Sequence, residues 1–151
     1  MKVEHRAAVP ADVEALLASG VPEHNLQEIR RVSCILPEEA IRATFDMADY
    51  RVSSWAGEDI LAIWGVTRKS MVSQDGCCWL IASCNAEKYP VAFARECKRL
   101  LGVFDEHYRH LDNFVDAGNE RIIRWLDWLG FTFDAEPVIS ATGHRLTRFW
   151  R

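Results

Sequence analysis

His107 and His110 stand three residues apart, a spacing at which two imidazoles on one helix can share a metal ion. A complete site there needs a third ligand, and Asp112 or Cys97 are the nearest of the right type. A solvated helix end with cations near its C-terminus accounts for the pair more simply, so no metal site is expected. Cys77-Cys78-x5-Cys84 has no CxxC spacing and no neighbouring His, which argues against zinc and against thiol redox chemistry. Between Gly118 and Phe131 the chain carries a different signature. Asn119 suits the cap of a helix, Ile122 and Trp125 follow at intervals of three, and Gly130 suits the left-handed turn that ends it.

Those groups need elements to hold them. Lys2 to Ala8 reads as a short first strand, and Pro10-Ala11-Asp12 opens a helix whose apolar stripe is Val13, Leu16 and Leu17, closed by Gly20. A second helical pattern runs from Asn25 to Ser33 and a clearer one from Pro37 to Ala48. Tyr50 to Ala56 and Ile60 to Thr67 form a hairpin around Gly57-Glu58-Asp59. Cys77 to Ala82 is a continuous apolar run, as expected of a strand covered on both faces. After Tyr89-Pro90, the residues Phe93, Cys97, Leu100, Leu101, Phe104 and Tyr108 share one face of the best helix in the sequence. Leu111 to Ala117 is a strand, Glu120 to Leu129 a helix, and Phe131 to Ile139 and His144 to Trp150 are the last strands. The element order is β-α-α-β-β-β-α-β-α-β-β, an α/β (α+β) arrangement in one domain over residues 1–151.

Composition bounds the function. A chain of 151 residues with 49% apolar and 26% charged residues is globular. Its net charge of −4 gives no electrostatic footprint for nucleic acid or an anionic membrane. Met1-Lys2-Val3-Glu4-His5-Arg6 carries no apolar core of signal-peptide length, and no window is apolar enough to span a bilayer. Five scattered cysteines point to reduced thiols and a cytoplasmic setting, with Cys34 and Cys97 expected as small core residues. Trp64 and Trp79 lie in apolar strands and are expected in the core. Trp125, Trp128 and Trp150 widen the apolar surface of the fourth helix and last strand, which suits a protein–protein contact.

The element order, with Pro10 to Leu16 after a short strand and Asn119, Ile122, Trp125, Gly130 and Phe131 at their spacings, resembles the GNAT N-acyltransferases. The resemblance implies a mixed, mainly antiparallel central sheet flanked by helices. It also implies acetyl-CoA bound at the loop before the long helix, through Ala82, Ser83, Asn85, Ala86 and Lys88, with Asn119 near the pantetheine or the substrate. Two requirements of such an enzyme are missing. The Ser83 to Pro90 loop has no glycine, so backbone cannot approach phosphates as closely as in the family's Gly-rich loop, and Glu87 adds a negative charge. Leu126 stands where many members carry the Tyr that protonates the leaving thiolate, and Leu cannot transfer a proton. Tyr108, His107 and His110 are the substitutes within the sequence, and Glu58 is the carboxylate nearest the middle strands.

Within that fold the chain is similar to the internal virion protein A family of short-tailed phages, through Asp75 to Ser83 and Gly118 to Phe133. That likeness implies a phage or prophage protein of the host cytosol or the virion. Its role would be particle morphogenesis through protein partners or self-association, with no confident catalytic residue and no cofactor. The alternative is an active acetyl-CoA-dependent N-acyltransferase with an atypical phosphate loop.

Overall fold

The β-formers along Tyr50–Arg68, with a continuous buried run in the second strand, set the centre of the sheet. In the computed structural model, which describes residues 2–151, β2 (Tyr50–Ala56) and β3 (Asp59–Arg68) pair around Gly57, whose φ of 61° suits the turn. β1 (Glu4–Ala7) adds to β2, and β4 (Asp75–Ala82) runs antiparallel to β3. β5 (His110–Asp116) lies parallel to β4, and β8 (Arg145–Trp150) pairs with β5. Two short strands, β6 (Thr132–Phe133) and β7 (Val138–Ile139), both pair with β8. The eight-stranded sheet is therefore mixed, with one parallel junction in the middle.

Helices cover both faces. α4 (Pro90–His107) and α5 (Glu120–Leu129) bury Cys97, Leu100, Leu101, Phe104, Leu126 and Leu129 against Trp64, Val66, Leu111 and Val115. α1 (Pro10–Ser19) and α3 (Pro37–Met47) bury Val13, Leu16, Ile41 and Phe45 against Ile60 and Ile63. α2 (Glu23–Val32) is different: it carries no fully buried residue and packs beside β5.

Two polar networks tie the first strand to the rest. Asp12, 4% exposed, accepts from the Val9 N–H and the Ser53 hydroxyl, both at 3.0 Å, and the Trp55 indole donates to the same hydroxyl. Across the sheet, His5 bridges Ser54 and Glu96 at 2.7 Å each, and the Trp64 indole donates to Ser54 at 2.9 Å. Burial alone would raise the Glu96 carboxyl, but hydrogen bonds from His5 and Arg99 hold it below its ordinary value.

Several expectations are corrected. All three helical patterns before β2 form, so three helices stand where the element order counted two. The strand expected over Phe131 to Ile139 is broken at Asp134–Pro137, where the proline has no N–H to offer the ladder. α4 ends at His107, so His107 and His110 are not on one helix; His110 opens β5. Cys34 is exposed in the α2–α3 link, whereas Cys97 and Cys78 are buried with their thiols pushed up by desolvation. Trp64 is core at 3% exposure. Trp79 is half-buried: its ring lies where a Cβ on Gly65 would fall 2.2 Å from Cζ2, and its indole N–H is buried without an acceptor.

Candidate functional site

The parallel junction is where the sheet comes apart. β4 and β5 are in register only at Asp75↔His110, Gly76↔Leu111 and Cys77↔Asp112. Beyond Cys77 the strands diverge. The Ser83 N–H to Leu61 carbonyl bond (2.8 Å) and the Lys69 N–H to Asp75 carbonyl bond (3.1 Å) fix the phase of the β3–β4 ladder. Residues 75, 77, 79, 81 and 83 turn their main-chain groups to β3, so Gly76, Cys78, Leu80 and Ala82 turn theirs toward β5. The Asn113 amide donates to the Cys78 carbonyl at 2.8 Å and bridges the start of the gap. Leu80 and Ala82 lie past that bridge, and their N–H and C=O groups on this side have no partner among the described residues. The result is a V-shaped cleft with an open strand edge along its β4 limb. That edge explains why Trp79 to Ala82 are half-buried, where an apolar run predicts full cover.

The β4 limb ends in a 3₁₀ turn over Cys84–Lys88. Here the Ser83 hydroxyl, fully buried, donates to the Ile60 carbonyl at 2.5 Å and accepts from the Asn85 N–H at 3.1 Å. The Cys84 N–H bonds the Gly20 carbonyl, the Ala86 N–H the Ser83 carbonyl and the Tyr89 N–H the Ala86 carbonyl. Pro90, first in α4, has no N–H. The N–H groups of Cys84, Asn85, Ala86 and Tyr89 are thus engaged within the protein. Lys88 is exposed, with its ammonium 3.9 Å from Asp59, and Glu87 is exposed beside it.

The β5 limb is built otherwise. The Asp116 N–H, which would face β4 if the ladder continued, donates instead to Glu28 of α2 at 2.6 Å. The other Glu28 oxygen accepts from the Asn119 amide at 3.2 Å, while the Asn119 carbonyl oxygen caps α5 by accepting from the Ile122 N–H at 3.3 Å. One turn on, Arg31 pairs with the Asp116 carboxylate at 3.1 Å. Arg31, Asp116, Ala117, Gly118, Gly143, His144 and Arg145 line an open groove of about 640 Å³ between the end of α2, the β5–α5 link and the β7–β8 turn. Glu28 is the carboxylate that sequence reasoning missed. Its only local signal is that Glu28 and Arg31 lie three apart on α2, a spacing that does not report a contact with β5.

Other candidates fall elsewhere. Tyr108 is buried, with its hydroxyl pushed up by desolvation, and it packs by Gly76 at the closed end of the V. It cannot serve the open end. His107 and His110 are exposed and share no metal cluster, and no group of three potential ligands occurs among the described residues. Glu58 lies in the β2–β3 turn, exposed. Leu126 is buried in the core under α5. Ala82, Ser83, Asn85, Ala86 and Lys88 do gather at the end of the β4 limb, and Asn119 sits across the V from them. Of the tryptophans on α5 and β8, Trp125 packs on the core and Trp128 is 48% exposed with the Lys98 ammonium 4.0 Å from its ring. The Trp150 indole donates to Asp134 at 2.9 Å.

The same architecture occurs in solved structures. Spermidine N-acetyltransferase from Vibrio cholerae, in complex with CoA and spermine, superposes with a TM-score of 0.70 at 13% identity, over 99% of this chain and 94% of its own. The chain has the GNAT fold. A GCN5-related N-acetyltransferase from Kribbella flavida gives a TM-score of 0.69 at 15% identity, over 99% and 96% of the two chains. A GNAT-family acetyltransferase from Streptococcus pneumoniae gives 0.64 at 12%, over 99% and 98%. The chain matches no family model and no curated protein. No helix of this GNAT-fold chain is long and apolar enough to cross a membrane among the described residues.

Proposed function

We propose that the chain is an acyl-CoA-dependent N-acyltransferase of the cytoplasm that grips its donor by the pantetheine arm. The observation that carries the reading is the unpaired β4 edge at Leu80 and Ala82. An extended ligand with its own amides adds to such an edge as a strand does, through main-chain hydrogen bonds. The residues fit that arm and fit the nucleotide end poorly, because the N–H groups of Cys84, Asn85, Ala86 and Tyr89 are engaged internally. When bound, the donor supplies an activated acyl thioester.

The chain's own residues then divide the work. Leu80 and Ala82 hold the arm in the V, and Asn119 steadies Glu28 from the opposite limb. Glu28 takes a proton from an ammonium acceptor, since a carboxylate held by two donors keeps further lone pairs free. The freed amine forms the C–N bond as the thioester C–S bond breaks, and the amine's second surplus proton goes to the leaving sulfur. This transfer needs no Tyr at Leu126. Calorimetry with acetyl-CoA tests the reading. Saturable binding at micromolar to submillimolar concentration supports it, and no binding at a few millimolar sinks it.

A second reading is favoured by the loop itself. A non-catalytic phage or prophage protein, with the same fold and acting through partners or its own copies in the particle, has no need of free phosphate donors. The exposed ring of Trp128, with Trp125 on the same helix and Trp150 on β8, would be its contact surface. Absence of thioester binding together with concentration-dependent self-association, lost in Trp128→Ala, selects it.

A further inference from the structure

We propose that Asn113 is a positioning residue: its side-chain carboxamide replaces one rung of the β4–β5 ladder and so keeps the V open from Leu80 onward. The inference rests on the acyltransferase reading above only for what the open edge holds.

Leu111 and Arg151 exchange both main-chain hydrogen bonds, at 3.0 and 2.9 Å, which sets the phase of the β5–β8 ladder. Asp112, Phe114 and Asp116 therefore turn their N–H and C=O groups toward β4. Continued past Cys77↔Asp112, the parallel ladder would next join the Phe114 N–H to the Cys78 carbonyl and the Leu80 N–H to the Phe114 carbonyl. Those two bonds define a Trp79↔Phe114 pair, and the ladder lacks it. The Asn113 carboxamide stands in that step instead. Its oxygen accepts from the Phe114 N–H at 2.7 Å, and its nitrogen donates to the Cys78 carbonyl at 2.8 Å. One N–H···O contact of about 2.9 Å has become two in series, with an amide between them. A donor on one limb and an acceptor on the other fix which way that amide faces.

A carboxamide suits this place because, like a peptide group, it carries an acceptor at one end and a donor at the other. Its anchor is fixed, since the Asn113 main chain pairs with Phe149 of β8 on the far side. Both groups that would have closed the rung are satisfied, so neither draws the limbs together. The Leu80 N–H and the Phe114 carbonyl are left facing the cleft from opposite limbs, a donor and an acceptor for a ligand's amide. Glu28 holds the β5 limb farther along, at the Asp116 N–H, and does not fill this step.

The test compares Asn113→Ala and Asn113→Asp with the unchanged chain, first without ligand. Alanine lets the Phe114 N–H reach the Cys78 carbonyl, so the rung forms and the Leu80 amide becomes protected. Its hydrogen exchange should slow by at least about tenfold. S-acetylpantetheine should then bind at least about tenfold more weakly than to the unchanged chain. Aspartate keeps an acceptor for Phe114 but sets a carboxylate oxygen against the Cys78 carbonyl, so the V stays open and Leu80 exchanges as in the unchanged chain. A side chain that merely stabilised the strand would move both variants the same way. Leu80 exchange that is alike in the two variants therefore overturns the proposal. So does an Ala variant that protects Leu80 yet binds S-acetylpantetheine as tightly as the unchanged chain. Should alanine fail to fold, the NMR coupling across hydrogen bonds in the unchanged chain decides. From the Phe114 nitrogen it should reach the Asn113 side-chain carbon; a coupling to the Cys78 carbonyl carbon, or none, overturns the proposal. Protection of Leu80 in the Ala variant, with no S-acetylpantetheine binding to the unchanged chain, supports the spacer and removes the acyltransferase reading, so the two failures are distinguishable.

Discussion

The two limbs of the V begin as paired neighbours and end with opposite chemistry. The β4 limb closes on itself: Ser83, Cys84, Asn85 and Tyr89 direct their polar groups inward, and what stays open is the bare strand edge at Leu80 and Ala82. The β5 limb closes on a helix from the other end of the chain, through Glu28 and Arg31, and leaves charged groups facing a groove. A limb that satisfies its own donors suits an arm recognised by backbone pairing. A limb with unpaired charges suits a partner recognised by charge. The fold places both within one cleft, but the division of labour comes from which hydrogen bonds are already made.

The largest effect expected from breaking this contrast is at Glu28. Glu28→Gln keeps an acceptor for the Asp116 N–H but cannot take a proton, so turnover should fall by roughly 10²- to 10⁴-fold. Acetyl-CoA affinity should stay within a factor of about 3. A thiol-release assay beside calorimetry separates the two numbers, and equal losses in both would dissolve the distinction between the limbs.

Next comes Ser83→Ala, which leaves the part-buried Asn85 N–H without its acceptor and the Ile60 carbonyl with only the Asn85 side-chain amide at 3.3 Å. It should cost about 1–3 kcal/mol in chemical denaturation. It should also loosen the loop without touching the β5 groove, as amide exchange would report. A neutral substitution would mean that the loop's inward bonds do not hold the limb closed.

A smaller difference concerns the donor. With most of the loop's N–H groups engaged, S-acetylpantetheine should bind within about tenfold of acetyl-CoA, because most recognition lies along the strand edge. A gap of a thousandfold would show that the loop rearranges to grip the nucleotide after all.

The least effect is expected from Glu87→Gln. Removing an exposed negative charge near the loop should tighten acetyl-CoA by no more than a fewfold at low salt, and the gain should vanish at high salt. S-acetylpantetheine affinity should not change. A shift for both ligands would mean that the substitution acts through structure rather than charge.

Much of the scaffold was legible because its signals are local. The periodicity of Phe93 to Phe104, the Asn119 cap and Gly130 stop, and the Gly57 turn each specify an element within a few residues. What escaped depends on distant partners. His110 looked helical until α4 ended at His107, and Cys34 looked like core until α2 was seen to bury nothing fully. Tyr108 carries the right functional group, but register places it at the closed end of the V. Glu28 meets Asp116 across 88 residues of chain, and neither propensity nor spacing reports such a contact. The glycine-free loop was visible at once. That most of its N–H groups bind within the protein was not, because Gly20 and Leu61 are brought to it only by the fold.

The most direct test of the central claim is the backbone amide spectrum of the chain titrated with S-acetylpantetheine. Saturable shifts are expected, largest at Leu80 and Ala82 and spreading to Asn113 and Asn119. No saturable shift at a few millimolar, or shifts confined to residues away from the V, would contradict it.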